Sequence, residues 1–210
     1  MHARASPPPP VVGARAPSRS HRVLSGNRRH TGLNVSVAAF QNLFAVLALA
    51  ALAGAVVLAV AALLRRRSAF AASIVEPFAQ AALPLAWIVA MVSTLGSLYF
   101  SEIADFLPCT LCWYQRICMY PLALILGIAA FRRDRSVRFY AVPLAVIGFV
   151  IALYHYLLEW IPDLDAGACS VTIPCDFVWF RAFGFVSIPF MALSGFAFII
   201  VSLLLRPQED

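Results

Sequence analysis

Pro108-Cys109-Thr110-Leu111-Cys112-Trp113-Tyr114-Gln115-Arg116 opens a long apolar run. It sets two cysteines one helical turn apart, with an arginine four positions after the second. A Cys-x-x-Cys pair can close a disulfide within itself and reopen it, which is dithiol redox chemistry. At a helix N-terminus the dipole favours the thiolate and lowers the thiol pKa. A static disulfide and half of a metal site are the other readings of such a pair. Zinc sites pair the motif with a second Cys or His pair at matching spacing. None follows, because Cys169 and Cys175 stand six positions apart. Redox chemistry is therefore the expectation, and no metal is expected.

Around this stretch the chain is 62% hydrophobic and only 12% charged, with a mean hydropathy of +0.84. Soluble domains carry about twice that share of charge, so the composition points to an integral membrane protein. The formal charge of +6 over 210 residues is carried by arginine alone, since the chain has no lysine. The arginines cluster between apolar spans, which fits the positive-inside pattern of membrane proteins and argues against a nucleic-acid partner.

Five apolar spans stand out, roughly Leu43–Leu64, Ala81–Phe100, Trp113–Phe131, Phe139–Ile161 and Phe183–Leu205. Each holds about 20 residues, enough to cross a hydrocarbon core of about 30 Å. Lipid leaves the backbone no partner but itself, so each should be helical. The expected fold is an all-α integral membrane protein, a four-helix transmembrane bundle with an additional N-terminal hydrophobic helix. Residues 1–36, rich in Pro, Arg, Ser and Gly, read as a disordered tail. Residues 37–70 read as the extra helix and a basic linker, and residues 71–210 as the four-helix domain.

The connections at 65–67 and 132–138 hold seven arginines, whereas those at 102–112 and 162–182 hold Glu102, Asp105, Asp163, Asp165 and Asp176 against Arg181 alone. The first two are expected on the cytoplasmic side of the cell membrane and the second two outside it. Cys109, Cys112, Cys169 and Cys175 then all reach the oxidising side, and Cys118 is left inside an apolar run. One conflict stands. The first span must run from outside to inside, which puts Arg28 and Arg29 outside against the same rule. A translocated tail, a first span that does not fully cross, and a translation start further downstream, such as Val35, all remain open.

Cys169 and Cys175 admit two readings. They form a loop staple, or they relay electrons to the first pair by thiolate attack through a mixed disulfide. Cys118, six positions after Cys112, faces another side of its helix and reads as a small buried hydrophobe. Arg116 lies just inside its span. It snorkels to the interface, or it stabilises a thiolate or the oxygen of an electron acceptor as negative charge develops. His155, late in the fourth span, is a packing residue or, with Arg116, lines a pocket for a polar ring head. Glu159, one turn on, orients it or sits at the interface. A thiol pair at a membrane surface must pass on two electrons to be used again, and the lipid-soluble two-electron acceptor of a bilayer is a quinone. No Gly-x-Gly-x-x-Gly appears, so a dinucleotide held that way is unsupported.

Cys109-Thr110-Leu111-Cys112-Trp113-Tyr114-Gln115-Arg116 resembles the signature of the DsbB/BdbC disulfide bond formation family, nearer its BdbC-like branch. The resemblance spans roughly residues 80–205. It includes the four-span layout, one cysteine pair in each of two loops, and Phe183-Gly184-Phe185-Val186-Ser187-Ile188-Pro189-Phe190 at the opening of the last helix. It implies a membrane thiol:disulfide oxidoreductase that reoxidises a DsbA-like extracytoplasmic thiol oxidase and reduces menaquinone or ubiquinone. By the same resemblance Cys169 meets the partner and Cys175 exchanges with Cys109. Cys112 faces the quinone, with Arg116 and His155 binding it. The second pair is closer together than in enterobacterial members, so which of Cys169 and Cys175 meets the partner stays open. Residues 1–70 lie outside the family's usual layout. The rivals are a relative of vitamin K epoxide reductase, disfavoured because that family places its active pair late in the bundle, and a non-catalytic membrane scaffold with structural disulfides.

Overall fold

The computed structural model describes residues 29–165, 167, 169 and 173–205, with side chains described from residue 37 onward. Among the described residues there are six α-helices: α1 (Arg29–Leu64), α2 (Ala69–Gln80), α3 (Ala82–Glu102), α4 (Thr110–Arg132), α5 (Arg138–Leu158) and α6 (Ile188–Leu204). Among the described residues the β pairing is confined to one bridge, Ala182 with Val186. Val37–Leu64, Ala82–Glu102, Thr110–Arg132 and Arg135–Leu158 are long and apolar enough to cross a membrane, and α6 is a shorter apolar helix. The protein is thus an all-α membrane bundle, as its hydropathy pattern predicts.

The helix limits differ from the apolar spans where local backbone chemistry intervenes. Helix α1 begins at Arg29, inside the stretch read as an unstructured tail, and residues 1–28 lie outside the described residues. Across the boundary read at residue 70 lies a helix the hydropathy does not separate, α2. Ser68 caps α2, its hydroxyl accepting from the Ala71 N–H at 3.3 Å, and Ala71, Val75 and Ala79 bury one narrow stripe. The break between α2 and α3 falls at Ala81 because Pro84 has no N–H to offer the Gln80 carbonyl, so the chain restarts a helix with proline in its first turn. Helix α5 stops at Leu158, before Pro162. Helix α6 starts at Ile188 rather than Phe183, since Phe183 and Gly184 take φ of 54° and 82° and turn the chain back on itself.

Helices α3, α4, α5 and α6 close a ring in which each packs against its neighbours, and α1 lies along α6. Small residues permit the close approach. Ala86, Ala90, Ala123, Ala145 and Ala152 are buried at the centre around Leu122, Leu126, Phe196 and Ile199. The Phe196 ring occupies the space a Cβ on Gly148 would need. Large apolar side chains such as Leu63, Leu124 and Ile147 point outward, as a lipid solvent allows.

Helix α1 spans the full height of the bundle. Near its start Phe40 stacks on Tyr99 at 4.2 Å between centroids, beside the C-terminal end of α3. Ala45 is buried with Ala182, Val186 and Phe190. Near its end Leu58 and Ala61 pack with Val75, Ala79 and Leu205. It therefore runs parallel to α6 and antiparallel to α3. Arg65, Arg135 and Arg138 border one cavity at the opposite end of the bundle from the cysteines, so the arginine connections do share one face.

Candidate redox site

The site is built at the cysteine end, where α4 begins. After Pro108 the chain is extended at Cys109, which caps α4, and its Sγ accepts from the Cys112 N–H at 3.4 Å. The two sulfurs, both free thiols, lie 3.2 Å apart. Cys109 is buried and Cys112 is partly exposed, so one helical turn sends the two thiols into different surroundings. Cys112 lines an apolar cavity of about 260 Å³ that reaches between α1, α3, α4 and α6. Cys109 turns toward α5 and the loop that follows it.

Cys169 and Cys175 are joined by a disulfide. Cys175 is only 2% exposed and shares a buried cluster with Cys109, Leu111 and Leu158, against which Cys112 and Cys169 pack. The two pairs, 57 or more positions apart in sequence, are brought into one cluster by the ring closure of α4 on α5.

His155 sits at their junction. Its Nε2 lies 3.1 Å from the Cys175 carbonyl and 3.6 Å from Cys109 Sγ. Its Nδ1 lies 3.0 Å from Gln115 Nε2. With the Gln115 amide donating to Nδ1, the proton belongs on Nε2, which donates to the Cys175 carbonyl and faces Cys109. His155 is not among the residues that line the cavity. It stands between the two cysteine pairs, while its Gln115 partner borders the cavity. Because α5 packs across α4 rather than into the cavity, its buried face meets Cys109 instead.

Arg116 does line the cavity, and it does not snorkel. Nε donates to Ser97 Oγ at 2.9 Å and Nη2 to the Ser97 carbonyl at 3.1 Å, while Tyr120 donates to the same hydroxyl at 3.3 Å. The guanidinium also lies 5.2 Å from the centroid of the Trp113 ring. These partners hold a positive charge beside Cys112 at the cysteine end of a cavity whose deeper wall is Ile88, Val89, Val92 and Phe196.

Hydrogen bonding from the Cys112 thiol, opposed by burial and seconded by His155, holds the Cys109 thiol well below the ordinary thiol range. Burial pushes the Glu159 carboxyl up. The Glu159 side chain makes no hydrogen bond to His155; its backbone N–H donates to the His155 carbonyl at 3.3 Å and its carbonyl accepts from Arg181 Nη2 at 2.8 Å. Arg181 also covers the Trp160 ring at 4.3 Å and so pins the cysteine loop to the end of α5.

Sequence reasoning assigned no role to Gln115, Ser97, Phe106 and Trp179. Gln115 touches both the cavity and His155. Phe106 stacks on Trp179 at 4.7 Å and on Phe100 at 5.8 Å, roofing the cavity at the cysteine end. The signal for Gln115 was available: an uncharged polar residue inside a span, three positions after Cys112. Cys109, Cys112 and His155 also bring three ligand atoms within 4.8 Å of one another. A closed zinc site takes four ligands, and the other two cysteines near it are bonded to each other.

The model of the family described as "Disulfide bond formation protein DsbB" matches residues 79–205. The chain belongs to the DsbB family. It is 50% identical to "Disulfide bond formation protein C" of Bacillus subtilis (strain 168) over 124 residues, which is 59% of this chain and 90% of that protein. It is 51% identical to "Probable disulfide formation protein C 1" of Bacillus cereus (strain ATCC 10987 / NRS 248) over 121 residues, 57% of this chain and 87% of the relative. It is 46% identical to "Probable disulfide formation protein" of Coxiella burnetii (strain CbuK_Q154) over 110 residues, 51% of this chain and 75% of the relative. No solved structure matches the chain. As a DsbB-family member it is a membrane disulfide-forming thiol oxidoreductase, which sets aside both the epoxide reductase likeness and the inert scaffold.

Proposed function

We propose that the protein reoxidises a DsbA-like extracytoplasmic thiol oxidase and passes the two electrons to a membrane quinone, menaquinone or ubiquinone. One observation carries the reading: two cysteine pairs share a buried cluster, and only the Cys112 end of it opens onto an apolar cavity with a fixed guanidinium. A flat polar head with an apolar tail fits such a cavity, the head beside Cys112 and Arg116 and the tail against the deeper apolar wall.

The order of exchange follows from burial. Cys169 is the more exposed member of its disulfide and Cys175 is buried beside Cys109. The partner's thiolate attacks Cys169, releases the Cys175 thiolate, and leaves as a disulfide when its second thiol displaces Cys169. Cys175 then attacks Cys109 of the oxidised Cys109–Cys112 bond and releases Cys112. Attack by Cys169 on Cys175 restores the first disulfide and leaves Cys109 and Cys112 as the reduced pair. Loss of two electrons and two protons from that pair re-forms its disulfide, and a quinone supplies the matching two-electron, two-proton acceptor. In this sequence His155 stabilises the Cys109 thiolate, and Arg116 holds positive charge where the acceptor oxygen gains electrons. Electrons flow this way when the acceptor couple is more positive than the cysteines, about 30 mV corresponding to about 1.4 kcal/mol.

The test is a thiol-trapping gel shift on the membrane-embedded protein, with and without added quinone. Reduced Cys109 and Cys112 should reoxidise only when quinone is supplied, and Cys109→Ser or Cys112→Ser should abolish partner oxidation. Cysteines that stay oxidised under mild reductant regardless of quinone, or serine variants that still oxidise the partner, refute the proposal.

A further inference from the structure

The cavity that Cys112 and Arg116 border is not closed by the family domain alone. Phe44, Leu47, Ala48 and Ala51 of α1 form one of its walls, and α1 lies outside the matched residues 79–205. The Bacillus subtilis relative is matched over 90% of its length, so its unmatched tenth is far shorter than the 36 residues of α1. This wall is held in register. A Cβ on Gly96 would lie 2.6 Å from Phe44 Cε1, so α1 and α3 touch there with nothing between them. Phe44 also meets the Phe100 ring edge-on at 5.6 Å, and α6 receives Gly54 against Phe198.

Depth separates the contributions along α1. Phe44 stands level with Gly96 and Phe100, near the roof of the cavity. Ala51 stands two helical turns further from the cysteines, about 10 Å deeper at 1.5 Å per residue. At this depth the polar groups of the roof are behind, and Ile88, Val89 and Val92 face α1 across the cavity. Ala48 and Ala51, two of the eleven alanines of α1, face the cavity and leave width there that larger side chains would fill.

We propose that α1 completes the acceptor site, Phe44 closing it beside the ring and Ala48 and Ala51 leaving a slot for the apolar tail, so that α1 selects the quinone by its tail. This rests on the acceptor reading above. Ala51 would then act as a specificity-determining residue, and filling its side of the slot would discriminate by tail and not by ring.

Two measurements on the full-length protein in nanodiscs test it. In the wild type, an azido-quinone bearing a polyprenyl tail with the azide on that tail should label peptides from residues 44–51 after irradiation. In Ala51→Phe, KM for a long-tailed quinone should rise roughly tenfold more than KM for a tail-less analogue, the order that one steric mismatch in an apolar pocket carries. Label confined to α3, α4 and α6, or an equal rise for both quinones, overturns the assignment and leaves the acceptor reading standing. Wild-type protein that neither takes label nor reduces either quinone brings down the acceptor reading and this assignment with it. Labelling needs no variant, so a poorly folding Ala51→Phe leaves the first measurement decisive.

Discussion

At the scale of single residues, the chemistry of this site depends on a difference between two thiols one turn apart. Cys109 caps a helix, accepts from the Cys112 N–H and lies 3.6 Å from His155 Nε2. Its pKa is lowered, so its thiolate persists well below the value near about 8.5 where an unperturbed thiol titrates, and is lost only as pH falls through the lowered value. In reduced protein, alkylation of Cys109 by iodoacetamide should therefore stay near its plateau as the pH is brought down to about 6. His155→Ala removes one stabilising contact and moves the fall-off to higher pH. A hydrogen bond to a charged group is worth about 1.5–3 kcal/mol, which is about 1–2 pKa units, so the midpoint of the alkylation profile should move up by about that much. Mass spectrometry of the alkylated peptide reads the rate residue by residue. An unchanged profile in His155→Ala would show that the histidine does not act on this sulfur. The cysteines and Arg116 were legible because redox and charged residues are rare in a span and therefore informative. Gln115 and Ser97 were not, because their meaning lies in their partners, His155 and Arg116, which come from other parts of the chain.

At the scale of elements, the helices follow from hydropathy but their contacts follow from small residues. Gly148 of α5 faces the ring of Phe196 of α6, and no Cβ fits between them. Gly148→Val should lower the thermal unfolding temperature of the purified protein, by an amount corresponding to about 1–3 kcal/mol for an overpacked core position. Adding Phe196→Leu should recover part of the loss, since the two positions touch and a double-mutant cycle measures their coupling. Full additivity would deny the contact. The element that hydropathy hid is α2. Its twelve residues are apolar enough to merge with the span that follows, and Pro84 marks the break, while the Arg65–Arg67 turn and the Ser68 cap separate it from α1. Reading caps and prolines before counting apolar residues would have found it.

At the scale of the whole molecule, the arrangement of α1 carries a topological consequence. Its Phe40 end lies at the cysteine face and its Leu64 end at the arginine face. In a variant whose five native cysteines are replaced, single cysteines at Ala38 and Asp163 should take a membrane-impermeant maleimide from the same side. Cysteines at Arg67 and Ser136 should take it only from the other side. Labelling of Ala38→Cys together with Ser136→Cys would mean that α1 does not cross as it packs here. The side assigned to the cysteine loops, outside the cell membrane, is tested by the same experiment in intact cells.

The sequence by itself determined the membrane class, the helical content, the shared face of the arginine connections and the presence of two cysteine pairs, because each of these is a property of local composition. Apolar length decides what crosses lipid, and residue type decides what carries electrons. The tertiary structure alone decided that Cys175 lies beside Cys109, that His155 stands between the pairs rather than in the cavity, and that α1 walls the cavity on which Cys112 opens. Each of these depends on the angle at which one helix faces another. That angle is set by which small residues allow two backbones to approach, and periodicity along a single helix does not contain it.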